Sequence, residues 1–253
     1  MKRPVKNQKP VVSTRLAFLL MFTLFYWGFH FIYRKTNLQL SQVVFDLFAG
    51  VFTGAVVHVG IAKFFGPLLF GRCFCGWACW NASVFDILPV KKTHNKLPEK
   101  YNGLRYVIFL LVFVIPFVFI ACGYYVQTPG AQFKWLLIEN AAAYIIGLAL
   151  AFWLGDRRAF CKYICPAGTL MAITSPKSVI KVEKNHIRCN RCRKCEIVCP
   201  MGVPVLSYIS ANQPVSHAEC ILCMECINSC SQRCLTLGIG RKTQTTTELG
   251  RSY

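Results

Sequence analysis

Acidic residues are scarce in this sequence, which has 10 Asp and Glu against 29 Lys and Arg and a formal net charge of +19. In a soluble protein, such an excess would suggest a nucleic-acid partner. Here the basic residues lie in runs beside apolar segments, at 2–9, 91–105 and 157–194, as the positive-inside rule expects of a membrane protein. The charge therefore indicates contact with membrane lipid and argues against DNA or RNA.

The sequence also lacks two features of secreted proteins. The first apolar run, 16–33, is too long for a signal peptide, and Arg34 and Lys35 follow it where a small-residue cleavage site would stand. The cysteines number 15, and an odd number cannot pair completely in disulfides. We therefore expect the first run to be a membrane helix and the cysteines to have another role.

Four apolar runs approach the length that crosses a membrane, and they cover residues 16–33, 43–61, 106–122 and 137–154. Polar residues and glycines weaken the second run, so a bent or re-entrant helix is also open there. With the amino terminus inside, the inner loops carry most of the basic residues. The pattern predicts a four-helix transmembrane bundle over residues 1–178, multi-pass in the bacterial cytoplasmic (inner) membrane, with both termini cytoplasmic.

Eight cysteines near the carboxyl end form two copies of the spacing Cys-x2-Cys-x2-Cys-x3-Cys. In this bacterial ferredoxin run, three thiolates wrap one [4Fe-4S] cube and the fourth cysteine ligates the other cube. Zinc sites usually separate two cysteine pairs by a longer spacer, and disulfides need no fixed rhythm. We predict one cluster on Cys189, Cys192, Cys195 and Cys230, and a second on Cys220, Cys223, Cys226 and Cys199.

Thiolate-bound clusters need the reducing side of a membrane, so we expect this region to be cytoplasmic. The sequence predicts a two-cluster ferredoxin domain over residues 179–240 and a flexible polar tail over 241–253. The predicted fold class is therefore an α-helical membrane protein with a carboxy-terminal, bacterial-type two-[4Fe-4S] ferredoxin domain.

A second cysteine pattern is duplicated within the membrane region. Residues 72–79 and 158–165 share Arg-x-Phe-Cys-x-aromatic-x-Cys, each after a pair of apolar runs, which indicates parallel repeats of a helical hairpin. Cysteines four apart face one way on a helix, so the pattern predicts that four thiols converge at the inner membrane edge: Cys75, Cys79, Cys161 and Cys165. Thiolates suit a further iron–sulfur centre or a copper ion, and a packing role or a redox-labile dithiol is the alternative.

Ionisable residues within apolar runs are costly in lipid and are functional candidates by default. We expect His30, Asp46 and Glu139 at one level near the outer surface, where they would accept protons from a quinol. An interfacial or capping role is the alternative for each of them. We expect His58 near the inner surface beside the cysteines, and we favour that site for quinol because it is closer to the clusters.

The motifs at 72–80 and 158–166, combined with the two ferredoxin runs, resemble those of the NapH family, the quinol dehydrogenase membrane component of periplasmic nitrate reduction. They also resemble the carboxy-terminal part of NosR-type and FixG-type polyferredoxins. In this family a proline follows each Cys-x3-Cys motif. Pro166 keeps that proline and Trp80 replaces it in the first motif, which makes Cys73 an alternative ligand there.

The resemblance implies an iron–sulfur electron-transfer protein that connects the quinol pool with a partner iron–sulfur protein or c-type cytochrome of an anaerobic respiratory chain. The sequence leaves open whether the chain is itself enzymatic, as a quinol dehydrogenase component. The FixG likeness implies instead a copper or metal reductase or an assembly factor. A third alternative is a membrane anchor that docks a soluble reductase.

Overall fold

The computed structural model describes residues 9–90, 101, 103–185 and 187–239. The predicted tail, 241–253, and most of the basic loop 91–105 therefore lie outside the described residues. The described chain is mainly helical and contains a two-stranded sheet near its carboxyl end.

The elements follow one another in two groups. The membrane part contains α1 Lys9–Phe25 with a π-helical continuation Tyr26–Tyr33, α2 Leu40–Phe48, α3 Gly54–His58 with a π-helical continuation Val59–Phe65, α4 Gly66–Phe70, α5 Cys73–Trp77, α6 Trp80–Ile87, α7 Leu104–Ala121, α8 Pro129–Leu154, α9 Ala159–Tyr163 and α10 Pro166–Thr174. The ferredoxin part contains a 3-10 turn Ser175–Lys177, β1 Ile180–Lys184, α11 Lys194–Ile197, α12 Val205–Ser210, α13 Glu225–Asn228 and β2 Leu235–Ile239.

Three helices in the described part of the chain are long and apolar enough to cross a membrane: Thr14–Tyr33, Leu104–Ala121 and Pro129–Leu154. At most 22% of the apolar window of any of them is buried inside the protein. Apolar helix surface of this length is stable only where lipid covers it, so the chain is a membrane protein.

The fourth predicted run starts earlier than the sequence suggested, at Pro129 instead of residue 137. The Thr128 hydroxyl accepts a hydrogen bond from the Ala131 N–H at 3.3 Å, and Pro129 occupies the first helical position. Both features favour a helix start. Gln132 and Lys134 in the first turns lower the hydropathy and hide this start from a search for apolar runs.

The run 43–61, for which the sequence left a bent or re-entrant helix open, is broken in the structure. α2 ends at Phe48, and the chain turns through Gly50 at a φ of +67°, which glycine tolerates best. Thr53 then caps α3 by accepting the Ala55 N–H at 3.1 Å. The apolar helix Gly54–Phe70 that follows is about 26 Å long at about 1.5 Å per residue, close to the hydrocarbon thickness of about 30 Å. A count of four membrane helices therefore stays a prediction.

The ferredoxin part packs directly on the membrane part. β1 and β2 pair antiparallel, with Val182 opposite Leu237, and both cysteine runs lie between these strands in the sequence. One hydrophobic core extends from Phe85 and Phe160 of the membrane part to Ile221 and other buried residues of the ferredoxin part. This shared core fixes the positions of the cysteine motifs relative to one another.

Candidate iron–sulfur site

The first predicted ligand set borders one cavity of the ferredoxin part, which we call site I: Cys189, Cys192, Cys195 and Cys230. The Arg191 N–H donates to the Cys189 Sγ at 3.4 Å. A fifth thiol, Cys234, borders the same cavity, and its Sγ lies 3.4 Å from the Cys230 Sγ. Site I therefore brings together the four thiols that the sequence predicted, and one that it did not.

The second predicted ligand set borders another cavity, which we call site II: Cys199, Cys220, Cys223 and Cys226. The Val203 N–H donates to the Cys199 Sγ at 3.4 Å. Burial, and next the neighbouring Glu225 carboxylate, raises the pKa of the Cys223 thiol to about 12. At neutral pH this sulfur becomes a thiolate ligand only when a bound cationic centre compensates its charge.

The two ferredoxin runs use the same backbone turns to present their thiols. Arg191 and Arg193 have φ values of +54° and +58°, and Leu222 and Met224 at the corresponding positions have +47° and +64°. Non-glycine residues seldom adopt this left-handed region. Its repetition shows that both loops wind in the same way around their cavities.

Each Cys-x3-Cys motif is a junction between two short helices. Cys75 lies in α5 and Cys79 directly precedes α6, while Cys161 lies in α9 and Cys165 directly precedes α10. The prediction that each pair shares one helix face is therefore wrong. In each motif the second cysteine is the N-cap residue of the next helix, with non-helical backbone angles. In the second motif its side chain also caps that helix, because the Gly168 N–H donates to the Cys165 Sγ at 3.4 Å.

The four thiols nevertheless converge, and we call their meeting point site III. Burial raises the pKa of the Cys79 thiol, and the neighbouring Cys75, Cys161 and Cys165 raise it further. Cys75 and Cys161 are buried in the same hydrophobic core, and Cys165 packs against it. Cys73 is also part of this region, because its thiol interacts electrostatically with Cys75 and with Cys220 of site II.

Two arginines connect the repeats reciprocally. Arg158 donates to the Cys75 carbonyl at 3.1 Å and lies 3.9 Å from the Cys161 Sγ. Arg72 of the other repeat donates to the Cys161 carbonyl at 3.4 Å. Both arginines are buried, with 0% of Arg72 and 1% of Arg158 exposed. Site III is thus bordered by two buried cations, one from each Arg-x-Phe-Cys sequence.

Site III lies against site II. The Trp77 indole N–H donates to the Leu222 carbonyl at 2.9 Å, within the loop that joins Cys220 to Cys223. At Gly76, a Cβ atom would overlap the Ile221 carbonyl oxygen, so only glycine permits this approach. The first Cys-x3-Cys motif therefore rests directly on a ligand loop of the ferredoxin part.

Site III also reaches into the membrane bundle, because α6 packs along α1. The Trp77 ring lies 6.1 Å from Phe18, and the Trp80 ring stacks on Tyr26 at 3.8 Å. Tyr26 is about 18 Å along the span that begins at Thr14, at about 1.5 Å per residue. Cys79 lies between these two tryptophans in the chain, so site III lies beside this part of the first span.

The outer ionisable candidates have different surroundings. His30 Nδ1 lies 3.1 Å from the Thr36 hydroxyl, and Glu139 accepts from Asn37 Nδ2 at 3.2 Å, so both meet the loop that follows the first span. Asp46 is buried and accepts from the Gln42 side chain at 2.8 Å and from the Thr53 hydroxyl. The contacts of Asp46 are those of a residue that holds the break between α2 and α3.

His58 lies farther from the carboxyl end of its helix than the predicted run 43–61 would place it. It lies in the first helix after the Thr53 cap, about 18 Å from the end at Phe70 by helical rise, because that helix begins at Gly54. Its ring nevertheless lies 6.2 Å from Trp80 and 5.6 Å from Phe74. α6 makes this contact by carrying Trp80 deep into the bundle.

Two family models match the chain at these cysteines. The model described as a 4Fe-4S dicluster domain matches residues 181–231, and the model described as a 4Fe-4S binding domain matches residues 51–92 and 141–185. The first match contains sites I and II, and the two segments of the second each contain one Cys-x3-Cys motif.

Curated relatives extend this likeness over most of the chain. An uncharacterized protein of Methanocaldococcus jannaschii is 30% identical over 69% of the chain and 75% of that protein. The ferredoxin-type protein NapH of Escherichia coli is 27% identical over 73% of the chain and 67% of NapH. The regulatory protein NosR of Pseudomonas aeruginosa is 24% identical over 88% of the chain and 33% of NosR. The chain belongs to the NapH/NosR-like family of membrane polyferredoxins. Among solved structures, none matches this polyferredoxin.

The donors of this polyferredoxin fit iron–sulfur clusters better than single metal ions. In the described residues, no three His, Cys, Asp or Glu side chains lie close enough to hold one ion. Tetrahedral zinc with a Zn–S distance of about 2.3 Å would hold its sulfurs about 3.8 Å apart. A cube separates its thiolates more widely, so two cavities that are each bordered by a predicted set of four cysteines match that chemistry.

Sequence reasoning missed the charged side chains around these sites. Arg15 donates to Asp86 at 2.8 Å and to Glu225 at 3.0 Å, and so joins the first span to site II. Glu219, directly before Cys220, forms ion pairs with Arg72 and Arg105. Lys63 is buried in the bundle. The arginine that begins each Cys-x3-Cys motif was a visible signal, and a lone lysine in an apolar run was another.

Proposed function

We propose that this polyferredoxin passes electrons between a quinol bound in the membrane bundle and a partner redox protein, through site III and then sites II and I. The position of site III carries the proposal. It lies between the aromatic interior at Tyr26 and Trp80 and the ligand loop of site II. Without such an intermediate centre, a quinol in the bundle would be separated from the cubes by apolar protein.

Sites I and II would each hold a [4Fe-4S] cube on their four named cysteines. We assign a further iron–sulfur centre to site III, on Cys75, Cys79, Cys161 and Cys165. The match of this region to a 4Fe-4S binding model supports iron–sulfur over copper. The buried Arg72 and Arg158 would compensate the negative charge that four thiolates bring to such a centre.

The quinol end of the path is supported by buried polar atoms beside site III. His58 Nε2 and Trp80 Nε1 are buried without a hydrogen-bond partner among the described residues. The Lys63 ammonium lies 5.2 Å from the centre of the Trp80 ring. Buried polar groups normally have partners, so these atoms favour a polar ligand at this place. A quinol head group supplies two oxygens that accept from Trp80 and Lys63, and His58 would take up a released proton.

The orientation and the partner belong to the same proposal. The ferredoxin part would lie in the cytoplasm, where thiolate clusters persist, and both chain ends would lie on that side. The partner would be an iron–sulfur protein or a c-type cytochrome of a respiratory complex. The description of NapH as a ferredoxin-type protein supports an electron-transfer role of this kind.

Iron and sulfide analysis with EPR on the purified protein tests the proposal. We expect about twelve irons if site III holds a third cube, about ten if it holds a two-iron cluster, and about eight if only sites I and II are filled. Cys161→Ser should remove the additional irons and leave the two cubes. Cys122→Ser, which changes an exposed thiol outside the three sites, is the matched control.

Addition of a reduced quinol should then produce the EPR signals of reduced clusters in the wild type but not in Cys161→Ser. His58→Phe should slow this reduction, while His30→Phe should leave it near the wild-type rate. A colourless, iron-free protein would contradict the proposal. Full reduction by quinol in Cys161→Ser would remove site III from the path, and no reduction of an iron-loaded wild type would favour a membrane anchor or a metal reductase.

A further inference from the structure

The two ferredoxin loops share a backbone but present opposite surfaces. In the loop of site II, Ile221, Leu222 and Cys223 are all buried. In the loop of site I, all five residues from Asn190 to Lys194 are exposed, among them the ligand Cys192. Where site II carries Leu222 and Met224, site I carries Arg191 and Arg193, each with the same left-handed φ. The backbone was therefore repeated, and only the side chains differ.

The loop of site II is closed to any partner because the membrane part covers it. Gly76 and Trp77 rest on its main chain, and Arg15 pairs with Glu225 at 3.0 Å. Electrons that reach site II therefore leave the protein through site I. The exposed ligand Cys192 marks the surface from which a partner approaches most closely.

That surface is strongly basic. From residue 184 to residue 195 the sequence has five basic residues and no Asp or Glu: Lys184, Arg188, Arg191, Arg193 and Lys194. None of the five makes an ion pair within the described part of the chain. Lys184, Arg188 and Arg191 border one groove together with Cys189 of site I. The nearest following carboxylate, Glu196, accepts the Leu206 N–H at 3.0 Å.

We propose that this basic surface is the docking site of an acidic, soluble redox protein whose own centre is surrounded by carboxylates. The proposal rests on the electron-transfer function and adds the exit site and the charge of the partner. Unpaired cations around an exposed centre accelerate encounter with an oppositely charged partner and orient it. One electron passes from the reduced site I cluster to the oxidised partner, and no bond or proton changes hands.

Charge reversal tests the docking surface in the full-length protein, in nanodiscs of phosphatidylcholine. The clusters are reduced with dithionite, and electron transfer to an oxidised haem protein is followed by stopped-flow absorbance. The acidic probe is the soluble haem domain of cytochrome b5, and the basic probe is cytochrome c. The test variant is Arg188→Glu with Arg191→Glu. The matched control is Lys177→Glu, an exposed lysine on the 3-10 turn outside the groove.

We expect the double variant to slow reduction of the acidic probe by about tenfold or more at low salt, and to weaken its salt dependence. Reduction of the basic probe should become faster, while Lys177→Glu leaves both rates near wild type. EPR verifies that the double variant retains its clusters. If the reversed charges disturb the clusters, Arg188→Gln with Arg191→Gln replaces the double variant, and it should slow reduction of the acidic probe by a smaller factor.

Unchanged rates in the double variant would overturn the proposal, as would an equal loss in Lys177→Glu. The double variant could instead bind phosphatidylglycerol vesicles less than the wild type while it transfers electrons at the same rate. This result would also overturn the proposal, because the basic residues would then contact lipid. Dithionite reduces the clusters without quinol, so these rates do not depend on the proposed quinol site. Failure of the quinol proposal can therefore be distinguished from failure of the docking proposal.

Discussion

At the scale of single residues, the spacing of the cysteines predicted which thiols border sites I and II, including the exchange of Cys199 and Cys230 between the two runs. Spacing has this power because three closely spaced cysteines and a fourth from the other run are the ligand pattern of a [4Fe-4S] cube. The charged residues around the sites follow no local pattern, since their partners lie far away in the sequence. Arg15 reaches Glu225 only because the fold brings the first span to site II.

Asp86 provides a pH-dependent contribution to stability. Burial alone would raise the pKa of its carboxyl, but the guanidinium groups of Arg158 and Arg15 outweigh burial and hold the pKa below its usual range. A carboxyl with a lowered folded-state pKa stabilises the protein above its unfolded value of about 3.9. This stabilisation is lost as the pH falls through the folded-state pKa.

We therefore expect the melting temperature of the detergent-solubilised protein to fall between about pH 5 and pH 3, in part through Asp86. Asp86→Asn should melt lower at neutral pH, because it leaves Arg158 and Arg15 without their buried counter-ion. Its melting temperature should then depend less on pH than that of the wild type. Glu183→Gln, which changes a half-buried carboxyl on β1, is the control. Parallel pH profiles for wild type and Asp86→Asn would contradict the expectation.

At the scale of elements, hydropathy located the long helices and failed where helices break. The run 43–61 reads as one apolar segment, but Gly50 and the Thr53 cap divide it, and the helix continues to Phe70. The prediction for the Cys-x3-Cys motifs failed in the same way, since in each motif one helix ends and a second begins at the second cysteine. The duplication of the motif still indicated that the two repeats meet, and Arg158 of the second repeat donates to the Cys75 carbonyl of the first.

The junction between α5 and the site II loop yields a prediction at this scale. Gly76→Ala should push the Ile221 carbonyl away, because the added Cβ would overlap it. We expect a lower melting temperature and slower quinol-driven reduction of the cubes, measured by freeze-quench EPR, with an unchanged iron content. Gly60→Ala places its Cβ in open space on the apolar helix Gly54–Phe70 and should change neither quantity. Wild-type kinetics in Gly76→Ala would show that this contact is not part of the electron path.

At the scale of the whole molecule, the ends of the helices show on which side of the bundle each span begins. Arg15, near the start of the first span, pairs with Glu225, and Arg105, near the start of α7, pairs with Glu219 at 2.6 Å. Both spans therefore begin beside the ferredoxin part. α7 extends about 27 Å from Leu104 to Ala121 at about 1.5 Å per residue, so its other end lies on the opposite side of the bundle.

Cys122 lies directly after α7 and is exposed, so it is a natural reporter of that opposite side. If the ferredoxin part is cytoplasmic, a membrane-impermeant maleimide should label Cys122 in right-side-out vesicles and not in inside-out vesicles. Cys122→Ser should abolish the labelling, and Thr36→Cys in that background should restore it, because residue 36 belongs to the loop on the same side. Ser210→Cys, exposed on α12 of the ferredoxin part, should give the inverse pattern. Labelling of Cys122 from the cytoplasmic face would invert the topology, because the ferredoxin part with its basic docking surface would then lie on the side away from the cytoplasm.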